Sequence, residues 1–381
     1  MTKKALSPRT YRLAVACFFF LAGICFASWA SRIPDIKNSL QLSNAALGGL
    51  LFALPVGSMV SLPVSGWLVA HWGSRKALLL GSMAYPFVLF LIGYSATVPQ
   101  LVVLLFCFGL FGNLVNISVN TQAIGVETLY GRSIMASFHG VWSTAGFTGA
   151  AIGALMVSKQ IAPFEHFCFI GSCMVLLGLF MYRFTLSEDA RRAGQPLFTR
   201  PDAFILKLGL IAFSCMACEG TMFDWSGVYF QKVVQAPKEL TTLGYAAFMS
   251  TMAGGRFIGD RLVLKLGNKK MLECSGIVIC TGLLLAVFFP NIVAATIGFL
   301  LVGIGVSSVV PLVYGQAGKQ KTMLAGVALA AVSTIGFLGF LLGPPLIGFI
   351  AEAFGLQWSF SLIAILGLGT TLLAGFTRFI E

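Results

Sequence analysis

Carboxylate and amide side chains interrupt several long apolar stretches of this sequence. Glu219 lies near the middle of the stretch 204–230. A charged side chain at such a depth in a bilayer costs about 2.5–3.5 kcal/mol on insertion scales, so it needs a reason. Because an apolar environment favours the neutral form of a carboxylate, Glu219 is predicted to bind and release a proton as its exposure changes. The alternatives are a structural hydrogen bond to a neighbouring helix and a direct contact with a bound solute.

Amide side chains form a second pattern. Asn113, Asn116 and Asn120 are spaced by three and four residues, which places them on one face of a helix, and Gln122 follows. A polar stripe on a membrane helix must face the protein interior or a water-filled cavity. Since amides both donate and accept hydrogen bonds, the four residues are predicted to bind the hydroxyl groups of a sugar-like or polyol solute. Hydrogen bonding between helices is the alternative.

Further candidates flank these two groups. Asp224 lies five residues after Glu219, beside Trp225, and is predicted to contact the solute or a gate; the alternative is a solvated helix end. His139 titrates near neutral pH and is a second candidate for proton coupling, with a buried structural histidine as the alternative. Aromatic rings that could stack on a solute, or lie at the membrane interface instead, are Trp29, Trp142, Tyr229 and Tyr314, and Trp225 is predicted to bind the solute beside Asp224.

The elements that carry these residues are predicted to be membrane helices. Hydrophobic residues make up 57% of the 381 positions and charged residues only 10%, against about 25% charged in soluble domains. Twelve apolar stretches have lengths near the 20 residues that span a bilayer. We therefore expect an all-α membrane protein of twelve transmembrane helices. Its polar midpoint predicts a cytoplasmic linker at 187–203 between six-helix bundles at 1–186 and 204–381.

The formal charge of +12 fits an orientation in the membrane better than nucleic-acid binding. With both termini and every second loop in the cytoplasm, most of the 25 Lys and Arg residues fall on the cytoplasmic side, as the positive-inside rule requires. The other face holds only Arg32, Lys37, Lys159, Lys232 and Lys238. We expect a monomer in the cytoplasmic (inner) membrane of a bacterium, in contact with lipid.

Two segment pairs indicate an internal repeat. STAGFTGAAIG at 143–153 matches STIGFLGFLLG at 333–343, a separation of 190 residues. WLVAHWGSRKALL at 67–79 matches RLVLKLGNKKMLE at 261–273, a separation of 194 residues. Both separations are about half the chain. They predict two pseudo-symmetric six-helix bundles, an arrangement used by secondary transporters.

The loop after the second helix resembles a motif of the major facilitator superfamily. Its pattern G-x-x-x-D-R-x-G-R-R/K appears here as Gly66 followed by Gly73, Arg75 and Lys76, with Ala-His at 70–71 in place of Asp-Arg. Across nearly the whole chain the sequence is similar to the MosC-like subgroup. The segments that carry this similarity are Trp29-Ala-Ser-Arg32-Ile-Pro, Asn120-Thr-Gln122, His139-Gly-Val-Trp-Ser143, Glu219-Gly, Asp224-Trp225, Gly259-Asp260-Arg261, Pro311-Leu-Val-Tyr314 and Gly343-Pro-Pro345.

This resemblance implies gating roles for a loop glycine, Gly73, and for charged residues at helix ends. The charged residues are Arg75 and Lys76 in the loop, Arg32 near Asp35, and Arg256, Asp260 and Arg261. Arg256 and Asp260 are four residues apart and can pair on one helix face. The alternative is that these charges lie at the membrane interface. Pro344 and Pro345 remove two amide donors and are predicted to bend their helix, either as a hinge for transport or only to shape its packing.

The resulting functional hypothesis is a proton-coupled secondary transporter of a small polar solute. An exporter of amphipathic compounds and a non-transporting membrane sensor are the alternatives. No phosphate-binding P-loop occurs in the sequence, and the three histidines and scattered cysteines form no metal-ligand motif. No enzymatic activity, catalytic residue, cofactor or metal is therefore expected.

Overall fold

A computed structural model describes residues 7–131, 134–187, 202–320 and 325–379 of the chain. Its regular elements are helices, and no strand occurs among the residues described. The helices of the first half of the sequence are α1 (Pro8–Ser39), α2 (Asn44–Leu51), α3 (Ala53–Trp72), α4 (Ser74–Tyr94), α5 (Val98–Tyr130), α6 (Met135–Ser158) and α7 (Pro163–Tyr182). Those of the second half are α8 (Ala203–Lys232), α9 (Leu243–Phe288), α10 (Ile292–Val306), α11 (Val309–Lys319), α12 (Ala325–Phe354) and α13 (Leu356–Gly375), with a 3-10 turn at Lys238–Leu240.

Several helices begin at residues that cap their free amide groups. Ser7 accepts a hydrogen bond from the Thr10 amide, and Asp202 accepts one from the Ile205 amide. Asn291 does the same for the first turn of α10 through the Ala294 amide. These caps satisfy donors that a helix end leaves without an intrahelical partner.

Helix lengths match a membrane-spanning fold. In the described part of the chain, eleven helical segments are long and apolar enough to cross a bilayer, with α2–α3 and α10–α11 each forming one segment. The remaining span is the part of α9 before Gly267, which carries Arg256, Asp260, Arg261 and Lys265. Together they confirm the predicted all-helical membrane fold.

The outward-facing residues of α7 show the same environment. Phe169, Leu176, Leu179 and Phe180 are each more than half exposed. Four large apolar side chains on one 20-residue helix would be costly in water but not against lipid tails. The exposed face of this helix is therefore suited to hydrocarbon.

The described residues form two compact units. The first comprises residues 7–40 and 53–187, in which α1 packs on α6 and α5 packs on α3 and α4. The second comprises 41–52, 202–320 and 325–379, in which α8 packs on α12 and α9 packs on α10 and α13. Most of the predicted linker, 188–201, lies outside the described residues, so the boundaries of the linker stay a prediction.

Both units contain the same unusual glycine at the start of an internal helix. Gly73, just before α4, has φ 82° and ψ 151°. Gly267 interrupts α9 with φ 78° and ψ 162°. Residues other than glycine rarely adopt such positive φ values. The 194-residue repeat therefore has a backbone counterpart, and the second copy divides α9 into two helices.

The other repeated segment provides close helix contacts. A β-carbon placed on Gly149 of α6 would lie 2.6 Å from the Ala27 β-carbon of α1. One placed on Gly339 of α12 would lie 2.5 Å from the Phe213 carbonyl oxygen and 2.7 Å from the Ala217 amide nitrogen of α8. Glycine is thus required in both units where these helices meet, as is common for small residues in membrane helix pairs.

The short helix α2 belongs to the second unit although it comes early in the sequence. The amides of Asn44 and Ala45, at its N-terminus, donate to Glu352 Oε2 of α12 at 2.8 and 3.2 Å. A β-carbon on Gly48 would lie 2.9 Å from the Gly348 α-carbon. A carboxylate cap and a glycine-to-glycine crossing therefore hold α2 against α12.

Candidate functional site

Glu219 lies in the interior of the second unit, on α8, with 5% of its surface exposed. One turn earlier, the Cys215 thiol lies 3.7 Å from Glu219 Oε1 and 3.8 Å from the Val306 carbonyl oxygen. A thiol is only a weak hydrogen-bond donor, so it stabilises the carboxylate little.

The stronger neighbour of Glu219 is a cation on another helix. The Arg256 guanidinium of α9 and the Glu219 carboxylate are close enough to interact electrostatically. Tyr314 of α11 is also close enough to Glu219 to interact with it electrostatically. The Tyr314 hydroxyl forms a hydrogen bond with Ser333 of α12. Residues that the sequence suggested separately for proton coupling, gating and solute binding are thus brought together from three helices.

This arrangement suits a carboxylate that changes its protonation state. When Glu219 is ionised, the positive charge of Arg256 compensates its charge within the low-dielectric interior. When Glu219 is protonated, the apolar surroundings impose little desolvation cost on it. A change in water access or in the distance to Arg256 would shift the balance between the two forms. The surroundings of Glu219 are therefore compatible with both its ionised and its protonated form.

The described part of the structure does not join the other predicted gating residues of the second unit to the Glu219–Arg256 cluster. Arg261 is exposed on α9, while the side chain of Asp260 lies outside the described part of the structure. Helix α12 continues through Pro344, which is buried, and Pro345, which is half-buried. The gating and hinge roles of these residues stay predictions.

In the first unit, the predicted asparagine stripe forms on α5. Asn113 is buried, and its amide nitrogen has no hydrogen-bond partner in the described part of the chain. Asn120 donates from Nδ2 to the Asn116 carbonyl oxygen at 2.8 Å and to Asn116 Oδ1 at 2.9 Å. Asn116 itself is exposed. Asn116 and Asn120 therefore present linked amides that a polar solute can reach.

Gln122 lies outside this stripe, and its solute-binding role stays a prediction. It is 1% exposed, and its Nε2 donates to Ser74 Oγ at 2.7 Å and to the Leu186 carbonyl oxygen at 3.1 Å. Its Oε1 accepts from the Leu186 amide at 2.8 Å. The amide is thus occupied in joining the start of α4 to the segment after α7.

Two of the predicted ring stackers, Trp29 and Tyr229, have no free ring face in this structure, and neither has Trp225. All three are 0% exposed, so a solute could stack on them only after repacking. Trp142 is half-buried, with its ring 6.3 Å from that of Phe26. His139 is exposed and meets the Phe19 ring edge-on at 5.4 Å, which excludes the buried-histidine alternative.

Arg32, a predicted gating residue, is the centre of a buried polar network in the first unit. It is 1% exposed and pairs with Asp35 at 2.6 Å. Its Nε donates to His166 Nδ1 at 3.2 Å, and its Nη2 donates to the Ile161 carbonyl oxygen at 2.7 Å. A buried guanidinium needs such acceptors, and this network joins the end of α1 to the start of α7.

In the loop that resembles the family motif, some residues make structural contacts and others are exposed. Arg75 lies over the Tyr182 ring, with its Cζ 4.7 Å from the ring centroid, and donates to the Tyr182 carbonyl oxygen at 3.3 Å. Lys76 is exposed, and Gly73 provides the positive φ before α4. Arg75 therefore stabilises the contact between α4 and α7.

Sequence reasoning missed two residues that the structure brings to these sites. His166 accepts the hydrogen bond from Arg32, and Tyr245 of α9 lies within electrostatic range of Asp224. A buried Arg32 needs hydrogen-bond acceptors, and His166 is predicted to lie at the same side of the membrane. That need could have indicated His166. No sequence signal separates Tyr245 from an interfacial tyrosine.

Comparison with known proteins agrees with this architecture. A sequence profile of the Major Facilitator Superfamily matches residues 14–336. The chain is 34% identical over 348 residues to an uncharacterized MFS-type transporter of Yersinia pestis, covering 91% of each chain. It is 30% identical to the membrane protein MosC of Rhizobium meliloti, covering 93% of this chain and 87% of MosC.

A solved structure shows the same fold. It is that of a bacterial homolog of the human lysosomal transporter Spinster, in an inward-facing and unoccupied conformation. It superposes with a TM-score of 0.78 over 96% of both chains, at 14% sequence identity. Fold, profile and relatives agree: the chain belongs to the major facilitator superfamily of membrane transporters and is related to its MosC-like members.

Proposed function

We propose that this protein is a secondary transporter that moves a small polar solute, sugar-like or polyol in character, and couples this movement to protons at Glu219. The observation that carries the proposal is the buried Glu219 carboxylate beside Arg256. The proposal includes alternating access of two halves, 1–186 and 204–381. It places a monomer in the bacterial cytoplasmic membrane, with both termini in the cytoplasm.

Proton coupling follows from the cost of leaving a buried charge uncompensated. A buried charge that nothing compensates costs several kcal/mol, so an ionised Glu219 is stable only near Arg256 or water. A conformational change that separates Glu219 from both Arg256 and water favours the protonated form of Glu219. Each transport cycle would then carry a proton across together with the solute or against it.

Solute recognition is assigned to the amides of the first unit. The Asn116 and Asn120 side chains are hydrogen-bonded to each other, which orients them before a solute arrives. Asn113 lies one turn from Asn116 and has an amide nitrogen without a partner in the described structure. Three amides on one face offer both donors and acceptors to the hydroxyl groups of a polyol.

The test compares the wild type with Glu219→Gln in proteoliposomes. A panel of labelled polyols and sugars is supplied with and without a pH gradient. Glutamine has the size of glutamate but cannot exchange a proton near neutral pH, so pH-driven accumulation should fall to background. Solute exchange at equal pH on both sides should continue, because exchange needs no net proton transfer.

Glu239→Gln is the matched control. Glu239 is an exposed residue of the 3-10 turn in the same unit, so this change removes one carboxylate without affecting the buried cluster. Its transport should equal that of the wild type. Undiminished pH-driven accumulation by Glu219→Gln would refute the assignment of Glu219 to proton coupling.

A further inference from the structure

The interruption between α10 and α11 lies beside Glu219 in the interior of the second unit. Helix α10 ends at Val306 and α11 begins at Val309, with the buried Ser307 and Ser308 between them. In a continuous helix the Val306 carbonyl would accept a hydrogen bond from the amide of residue 310. In the described structure its partner is instead the Cys215 thiol of α8, whose Sγ lies 3.8 Å from the carbonyl oxygen.

The Cys215 thiol therefore faces two acceptors. Its Sγ lies 3.7 Å from Glu219 Oε1 and 3.8 Å from the Val306 carbonyl oxygen, and Cys215 is 0% exposed. A thiol carries one proton, so it can donate fully to only one of them. An ionised carboxylate is the stronger acceptor because hydrogen bonds to charged groups exceed those between neutral groups. A protonated Glu219 loses this advantage, and the buried Val306 carbonyl then becomes the better partner.

The same interruption also packs against α9. A β-carbon placed on Gly255 would overlap Ser307 Oγ, and one placed on Gly259 would lie 2.6 Å from Ser308 Oγ. Small residues are thus needed where the two serines meet α9. Arg256, which interacts electrostatically with Glu219, follows Gly255 in the sequence. The interruption therefore contacts both the helix that carries Glu219 and the helix that carries its cation.

We propose that Cys215 is a positioning residue that links the protonation state of Glu219 to the interruption between α10 and α11. This inference rests on the proposed function, because it concerns the same carboxylate. When Glu219 is ionised, the thiol donates to it, and the Val306 carbonyl keeps no donor among the described residues. When Glu219 binds a proton, the thiol turns to Val306. Protonation thus stabilises the end of α10, and ionisation loosens it.

Other charged or titratable groups also face Glu219. Arg256 of α9 and Tyr314 of α11 are close enough to interact with it electrostatically, and so is Cys218 of α8. Arg256 compensates the ionised carboxylate, and Tyr314 forms its hydrogen bond with Ser333. Among these groups, Cys215 is the one that the described structure places within hydrogen-bond range of both Glu219 and the Val306 carbonyl.

The test is infrared difference spectroscopy of the purified protein while the buffer pH is changed in steps. The S–H stretch absorbs where other protein groups do not, and its frequency falls as its hydrogen bond becomes stronger. Raising the pH should therefore lower the Cys215 S–H frequency as Glu219 loses its proton. This change should have the same pH midpoint as the loss of the Glu219 carboxyl band, which the Glu219→Gln variant identifies.

Three variants assign the signal. Cys215→Ala should lose the S–H difference band completely. Cys218→Ala, the matched control, removes another buried thiol about one turn away on the same helix and should keep the band. In Glu219→Gln the thiol faces an amide that does not titrate, so the Cys215 S–H frequency should be the same at every pH.

A pair of glycine variants tests the connection to the interruption. Gly255→Ala would displace Ser307 and the adjacent Val306 carbonyl, so at low pH the Cys215 S–H frequency should rise toward that of a thiol without a hydrogen bond. Gly254→Ala should leave the spectrum unchanged, because a β-carbon there meets no atom within 4 Å. If Gly255→Ala does not purify as a monodisperse protein, Gly259→Ala replaces it.

Three results would each overturn the proposal. They are a Cys215 S–H band that does not respond to pH, a difference band that survives in Cys215→Ala, and equal spectra for the two glycine variants.

The outcome separates this link from the proposed function, because the S–H response requires Glu219 to exchange a proton but requires no solute to move. A pH-dependent Cys215 band in a protein without pH-driven flux would support the link and refute proton-coupled transport. Flux that depends on Glu219, together with a Cys215 band that ignores pH, would refute the link and leave the transport proposal standing.

Discussion

Replacing Gly339 by alanine should weaken the contact between α12 and α8. A β-carbon at this position would lie 2.5 Å from the Phe213 carbonyl oxygen and 2.7 Å from the Ala217 amide nitrogen. Both atoms belong to the backbone of α8, so no side-chain rotation can relieve the overlap. The two helices would have to separate, and α8 is the helix that carries Glu219.

The size of the effect follows from two opposing contributions. Forcing a methyl group into a close-packed contact costs about 1–3 kcal/mol. Alanine in a helix interior recovers about 0.5–1 kcal/mol relative to glycine. Gly369→Ala on α13 isolates the second contribution, because a β-carbon there meets no atom within 4 Å. The two variants should therefore differ by about 1–3 kcal/mol in unfolding free energy.

Thermal unfolding of both variants in the same detergent provides the measurement. Gly339→Ala should melt below the wild type, and Gly369→Ala at or above it. Gly149→Ala, the counterpart in the first unit, should resemble Gly339→Ala because Ala27 lies 2.6 Å from its added β-carbon. Equal melting temperatures for Gly339→Ala and Gly369→Ala would refute the claim that glycine is needed where α12 meets α8.

Two further predictions concern buried hydrogen bonds of the first unit. Gln122→Leu leaves the Leu186 amide without its 2.8 Å acceptor and should cost about 1–3 kcal/mol in thermal stability at unchanged solute affinity; weaker solute binding at normal stability would restore Gln122 as a binding residue. His166→Leu removes an acceptor of the buried Arg32 and should cost about 1.5–3 kcal/mol, which His166→Gln should largely recover because glutamine can accept the same bond; equal melting temperatures for the two variants would contradict this role.

The architecture was predictable because a bilayer imposes one length on every span. Apolar stretches of about 20 residues and the repeat separations of 190 and 194 were enough to predict two bundles of membrane helices. Breaks within spans are not detected by a count of apolar residues. Helix α10 ends at Val306 and α11 begins at Val309, and Pro311 in the first turn of α11 lacks the amide donor that would bond to the Ser307 carbonyl oxygen. That proline indicates the interruption, although the stretch as a whole is apolar.

The site was predictable residue by residue but not as an arrangement. Glu219 could be identified because its charge is costly at its depth, whereas its proximity to Arg256 depends on how α8 and α9 are rotated about their axes. The environment of Gln122 could have been inferred from its spacing. Two residues from Asn120, it points to another side of the helix, where the amide bonds Ser74 and Leu186.

The position of α2 has a consequence for fragments of this protein. Residues 41–52 precede most of the first unit in the sequence but pack in the second, where Glu352 caps the Asn44 end and Gly48 crosses Gly348. A cut in the linker would therefore yield an N-terminal polypeptide that contains the described first unit together with α2, and a C-terminal polypeptide that lacks α2 from its own unit. The C-terminal fragment would expose the glycine face of α12, and the N-terminal fragment would carry the helix that covers it. Complementation between such fragments would depend on this eight-residue helix being supplied in trans.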